Sequence, residues 1–136
     1  MYQICVRRHF DAAHALRGYQ GRCENLHGHR YEVVACVKSG VLNEIGLAFD
    51  FTEFKRELDA ILDGLDHRNL NETHPFDECN PSAENIAKFI YDTLQAALPH
   101  LSLEHVQVYE SPDAWATYSP DSIHGRRPTI CQGPCE

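Results

Sequence analysis

His29-Arg30-Tyr31-Glu32-Val33-Val34-Ala35-Cys36-Val37-Lys38, closed by Ser39-Gly40, is the stretch on which the fold turns. It is rich in β-branched and aromatic residues and ends on a turn signal, so it reads as a strand. Toward the N-terminus, residues 16–26 hold Gly18 and Gly21 and show no apolar period, which marks a loop. Before that loop, Tyr2, Ile4 and Val6 alternate with Gln3, Cys5 and Arg7, the period of a half-buried strand that runs to about Ala13. Toward the C-terminus, Leu47-Ala48-Phe49 leads to Asp50, which forms a capping pattern with Glu53. Phe54, Leu58, Ile61, Leu62 and Leu65 then share one helical face and predict a helix over about 51–63. Asn80-Pro81 announces a second helix, with the proline suited to its first turn and Ile86, Phe89, Ile90 and Leu94 forming an apolar series up to Pro99. Asp66-His67-Arg68-Asn69-Leu70, between the helices, reads as a connection too polar for the core. Two further strands, 103–110 and 114–118, flank the turn Ser111-Pro112-Asp113.

The resulting order is β-β-α-α-β-β. Strand pairs on either side of adjacent helices imply an α+β architecture, an antiparallel four-stranded sheet with both helices on one face. The 136 residues suit one domain, assigned to 1–118, with 119–136 as an extended tail. Twenty acidic against 12 basic residues give a net charge of −8, which argues against a nucleic-acid or anionic-membrane binder that relies on a basic face. No stretch approaches the ~20 apolar residues of a membrane span, and the chain opens on strand-like alternation, so a cytoplasmic protein is expected. The 6 cysteines lack the spacing of a small secreted domain, so reduced thiols are expected, with Cys5, Cys36 and Cys79 as packed or loop thiols. Cys131 and Cys135 close the tail without a histidine motif beside them.

The chemistry concentrates in Cys23-Glu24-Asn25-Leu26-His27-Gly28-His29 and in His14 at the end of the first strand. Alternation sets His27 and His29 on one face, and the glycine between them allows close approach of a backbone or ligand. If the first two strands pair as a hairpin, His14 meets this pair at the open loop end. Three neutral imidazoles with one open position form the ligand set of a catalytic zinc, whereas a structural zinc is closed by four protein ligands. The bland alternative is two histidines flanking a turn and a half-buried strand residue. Cys23 could serve as base or nucleophile with its pKa lowered by nearby cations and metal, as a fourth ligand, or as an inert loop thiol. Asp66-His67 is either a proton relay or a solvated turn. Glu110 is either a surface carboxylate or a group that grips a guanidine-like edge through two parallel hydrogen bonds.

Phe10-Asp11-Ala12-Ala13-His14, Cys23-x3-His27-Gly28-His29, Leu65-Asp66-His67-x-Asn69-Leu70, Asn80-Pro81-Ser82-Ala83-Glu84-Asn85 and Val108-Tyr109-Glu110 together resemble the 6-pyruvoyltetrahydropterin synthase superfamily. The resemblance runs in order from about residue 3 to residue 118. The three-residue gap between cysteine and His-Gly-His is similar to that of the 6-carboxytetrahydropterin synthases of queuosine biosynthesis, whereas the animal biopterin enzymes have a longer gap. The resemblance implies zinc ligated by His14, His27 and His29, Cys23 as proton acceptor, Asp66 and His67 as a relay from a neighbouring subunit, and Glu110 as the pterin anchor. It also implies a tunnelling fold in which small subunits close their sheets into a barrel, as a homo-oligomer and usually a hexamer. The implied reaction turns 7,8-dihydroneopterin triphosphate into 6-carboxy-5,6,7,8-tetrahydropterin with loss of acetaldehyde and triphosphate. The triphosphate calls for cations, to be sought among Arg7, Arg8, Arg17, Arg22, Arg126 and Arg127. Two other readings remain: elimination of triphosphate to 6-pyruvoyltetrahydropterin, and a non-catalytic zinc- or pterin-binding relative.

Overall fold

The computed structural model describes residues 1–21 and 24–120. Expectations that rest on Arg22, Cys23, Arg126, Arg127, Cys131 and Cys135 lie outside these described residues. Two long strands, β1 (Tyr2–His14) and β2 (His27–Ser39), are followed by helix α1 (Phe51–Asp63), a two-residue strand β3 (Arg68–Asn69), helix α2 (Ala83–Ala97) and the hairpin strands β4 (Leu103–Ser111) and β5 (Ala114–Tyr118).

β1 and β2 pair antiparallel along their whole length, from Tyr2 opposite Ser39 to His14 opposite His27. The alternation follows the pleat: Val6, Phe10, Ala12 and His14 on β1 and Tyr31, Val33, Ala35 and Val37 on β2 are buried on the inner face, against the helices. Phe54, Leu58 and Leu62 of α1 and Ile86, Ile90 and Leu94 of α2 complete this core. Each such side chain contributes about 1.5–3 kcal/mol by leaving water. Both helices begin on a capping side chain: Asp50 accepts from the Thr52 N–H at 2.8 Å, and Ser82 accepts from the Asn85 N–H at 3.1 Å. Arg8 of β1 reaches across to Asp59 of α1 at 2.9 Å. Among the described residues, no helix is long and apolar enough to cross a membrane.

The structure corrects the sequence reading in four places. The sheet has five strands, not four, in the order β3-β1-β2-β4-β5, and β3 lies parallel to β1 opposite Ala12 and Ala13. The segment read as too polar for the core supplies that strand, and it ends in Leu70, which is fully buried. Pro81 precedes the capping Ser82 of α2 instead of occupying the first turn. The expectation of reduced thiols fails: Cys5 and Cys36, directly opposite one another on β1 and β2, form a disulfide, and Cys79 is also disulfide-bonded.

Candidate active site

The β1–β2 register brings His14 and His27 face to face at the open end of the hairpin, with His29 one pleat repeat further along β2. All three belong to the inner face. One ring nitrogen from each lies within 4.8 Å of the others. His14 is 1% exposed, and its Nδ1–H donates to the Pro81 carbonyl at 2.6 Å. The Nδ1–H of His27 donates to the Asn25 carbonyl, also at 2.6 Å. A carbonyl oxygen can only accept, so each of these imidazoles carries its proton on Nδ1 and turns the Nε2 lone pair inward. The two Nε2 atoms are 3.0 Å apart.

Two lone pairs held at that distance repel unless a cation lies between them. Burial pushes the His14 pKa down, outweighing the opposing pull of Pro81 and Glu110. Burial, then the neighbouring His14, pushes that of His29 down as well. Both shifts favour the neutral ring, the form that binds a metal. Three neutral imidazoles with two Nε2 atoms oriented by backbone carbonyls fit a zinc ion with an open fourth position. Glu110, on the inner face of β4, completes the wall with Oε1 4.0 Å from His14 Nε2. A Cβ at Gly28 would meet only the Ala12 carbonyl at 3.8 Å, so contacts within the chain do not require the glycine there.

Asp66 and His67 form a pair. His67 Nδ1 lies 2.9 Å from Asp66 Oδ2, and Asp66 Oδ1 accepts the Asp11 N–H at 2.9 Å. The Asp11 N–H, then the His67 ring, hold the Asp66 pKa below the usual carboxylate range. His67 has a left-handed backbone, φ 57°, and its N–H donates to the Asp11 carbonyl at 2.6 Å. His67 borders a hollow of about 500 Å³ that is also lined by Asp11, Ala12, Ala13, Gly28, His29 and Arg68. Asp11, Ala13 and Gly28 occupy outer-face positions of β1 and β2, whereas Ala12 and His29 occupy inner-face ones, so this hollow reaches a histidine of the cluster. The structure therefore brings together His14, His27, His29 and Glu110, and pairs Asp66 with His67 beside a hollow that His29 also lines.

The arginines divide by their partners. Arg17 donates to the carbonyls of Asn71, Phe76 and Cys79 at 2.8–3.3 Å, which ties the loop after β1 to the segment before α2 and commits this cation to the fold. Arg8 is held by Asp59, and Arg7 makes an exposed pair with Glu32 at 3.3 Å. Histidines without a motif pair with neighbouring carboxylates: His74 with Asp77, His100 with Glu53 and His105 with Glu104.

Sequence reasoning missed the Pro81 carbonyl and Tyr31, whose ring lies edge-on to His14 and His29 at 5.6 and 5.5 Å. It also missed the Cys5–Cys36 bond, although a hairpin register that sets His14 opposite His27 necessarily sets Cys5 opposite Cys36.

The chain is similar to several known proteins. "Dihydroneopterin monophosphate aldolase" of Pyrococcus furiosus is 34% identical over 79% of this chain and 89% of its own. "6-carboxy-5,6,7,8-tetrahydropterin synthase" of Synechocystis is 35% identical over 87% of this chain and 93% of its own. The structure of Caenorhabditis elegans 6-pyruvoyl tetrahydropterin synthase superposes with a TM-score of 0.78 at 28% identity, covering 89% of this chain and 98% of that one. The sequence profile of the 6-pyruvoyl tetrahydropterin synthase family matches residues 3–121. A match over this much of the chain, with relatives above 30% identity, means that the protein belongs to the 6-pyruvoyl tetrahydropterin synthase family.

Proposed function

We propose that the chain is a zinc-dependent carbon–carbon lyase of queuosine (7-deazaguanine) biosynthesis. It would convert 7,8-dihydroneopterin triphosphate into 6-carboxy-5,6,7,8-tetrahydropterin and release acetaldehyde and triphosphate. The observation that carries this reading is the opposition of the His14 and His27 Nε2 atoms at 3.0 Å, beside His29 and Glu110. The carboxy branch is favoured by the three-residue gap between Cys23 and His27 and by the Synechocystis relative's name.

His14, His27 and His29 would hold the zinc, which when bound would acidify the substrate's side-chain hydroxyls and offer a counter-charge for developing oxyanions. The chain's own residues do the rest. The Pro81 and Asn25 carbonyls hold two imidazoles in the ligating tautomer. Glu110 accepts two parallel hydrogen bonds from the pterin's guanidine-like edge. Cys23, as thiolate, takes and returns the proton. Asp66 accepts the His67 Nδ1–H and leaves its Nε2 as the acceptor that keeps the thiol deprotonated. The relay is read as coming from a neighbouring subunit of a homohexamer, the arrangement that the resemblance of the sequence motifs implies. The sheet edges at β3 and β5 are the surfaces through which such a ring of subunits would close.

The test is incubation of zinc-loaded protein with 7,8-dihydroneopterin triphosphate, followed by mass analysis of the pterin and an assay for acetaldehyde. A 6-carboxy product with acetaldehyde is expected. A 6-pyruvoyl product without acetaldehyde would move the protein to the elimination branch. Turnover of dihydroneopterin monophosphate alone would move it to the aldolase reading that the Pyrococcus relative raises. No turnover of either substrate would leave a non-catalytic binder.

A further inference from the structure

Tyr31 is 0% exposed, yet its hydroxyl is buried with no hydrogen-bond partner among the described residues. Its ring stacks on Phe10 at 4.9 Å and stands edge-on to His14 and His29, so the phenol borders the histidine cluster. Glu32 lies opposite Tyr109 in the β2–β4 ladder, and one step along that register sets Glu110 beside Tyr31 on the inner face. The Glu110 carboxylate accepts no hydrogen bond from the described residues, and its Oε1 lies 4.0 Å from His14 Nε2. One wall of the site thus holds an unpaired donor next to an unpaired acceptor.

An unpaired buried hydroxyl destabilises a fold, and phenylalanine would fill the same space without that cost. A group retained at the expense of stability points to a role in the working state. We propose that Tyr31 is a positioning residue: its hydroxyl donates to the Glu110 carboxylate when a pterin is bound and fixes the orientation in which Glu110 receives the ring. This rests on the pterin reading above. The hydroxyl is too deeply buried to reach a ligand itself, so it acts through Glu110.

The test is Tyr31→Phe in the full chain, measuring zinc content, melting temperature, and the affinities of two probes, 7,8-dihydroneopterin and inorganic triphosphate. Only the first presents a ring to Glu110. The expected result is unchanged zinc, an equal or higher melting temperature, about tenfold weaker dihydroneopterin binding and unchanged triphosphate binding. Equal dihydroneopterin affinity overturns the proposal. So does an equal loss for both probes, or a fall in zinc content or melting temperature, since the hydroxyl would then act through the fold or the metal. If the unsubstituted protein itself fails to bind dihydroneopterin, the pterin reading falls and takes this inference with it.

Discussion

His14 and His27 face each other across the end of the β1–β2 hairpin, Nε2 to Nε2 at 3.0 Å, with each Nδ1 bonded to a backbone carbonyl. The arrangement leaves two lone pairs converging on one point in a partly buried place, where a cation is the simplest relief.

The purified protein should therefore hold about one zinc per chain. His14→Ala, His27→Ala and His29→Ala should each lose it by elemental analysis, and His105→Ala, whose ring pairs with Glu104, should retain it. Full metal retention in all three cluster variants would remove the site assignment.

Cys23 has rival roles as base and as fourth ligand, and metal content separates them. As a base, Cys23→Ala keeps zinc and loses about a hundredfold or more in rate. A relay acts as a unit, so His67→Ala should lose a similar amount and the double variant little more. Fully multiplicative losses would show that the two residues act independently. Mixed oligomers of the two single variants should regain activity when the relay comes from a neighbouring subunit, and stay inactive when both groups must sit on one chain.

Asp66 makes acid stability a test of the pair on its own. Its pKa is lowered in the folded state, by the Asp11 N–H first and the His67 ring second. A carboxylate of this kind contributes stability above its unfolded value, and the contribution is lost as pH falls through the folded one. The stability gap between the unsubstituted protein and Asp66→Asn should thus be widest above about pH 5, and it should close only as pH falls below the ordinary carboxylate value of about 3.9 and through the lowered folded one. Denaturant midpoints measured across that range check it, and a gap independent of pH would show that Asp66 does not act through its charge.

The Cys5–Cys36 bond closes a loop with a sequence separation of 31. In the chain-entropy account, a loop of that length stabilises by about 3–4 kcal/mol. Cys5→Ser with Cys36→Ala should lower the unfolding free energy by about that amount while the secondary structure, measured by circular dichroism, stays intact. An unchanged free energy would mean that the strands gain nothing from the tie beyond their hydrogen-bonded ladder.

The two long strands, α1 and the β4–β5 hairpin were legible in the sequence because local periodicity and local capping create them. Asp50 caps α1 through a residue two positions away, and alternation alone places His27 and His29 on one face. The same local rules misjudged Asp66 to Leu70. That segment is polar on average, but Leu70 enters a core built by distant residues, and a two-residue β3 has too short a period to detect. Arg17 could not be assigned from its neighbours in sequence, since the carbonyls it holds belong to Asn71, Phe76 and Cys79. The pairing of Cys5 with Cys36 and the placing of Tyr31 beside Glu110 depend on strand register, a property of two strands together. The sequence by itself determined the long strands, the two helices and the residue types of the site, because those follow from short-range propensity and spacing. Tertiary structure decided which nitrogen of His14 and His27 faces inward, since that rests on carbonyls supplied by chain outside the strands.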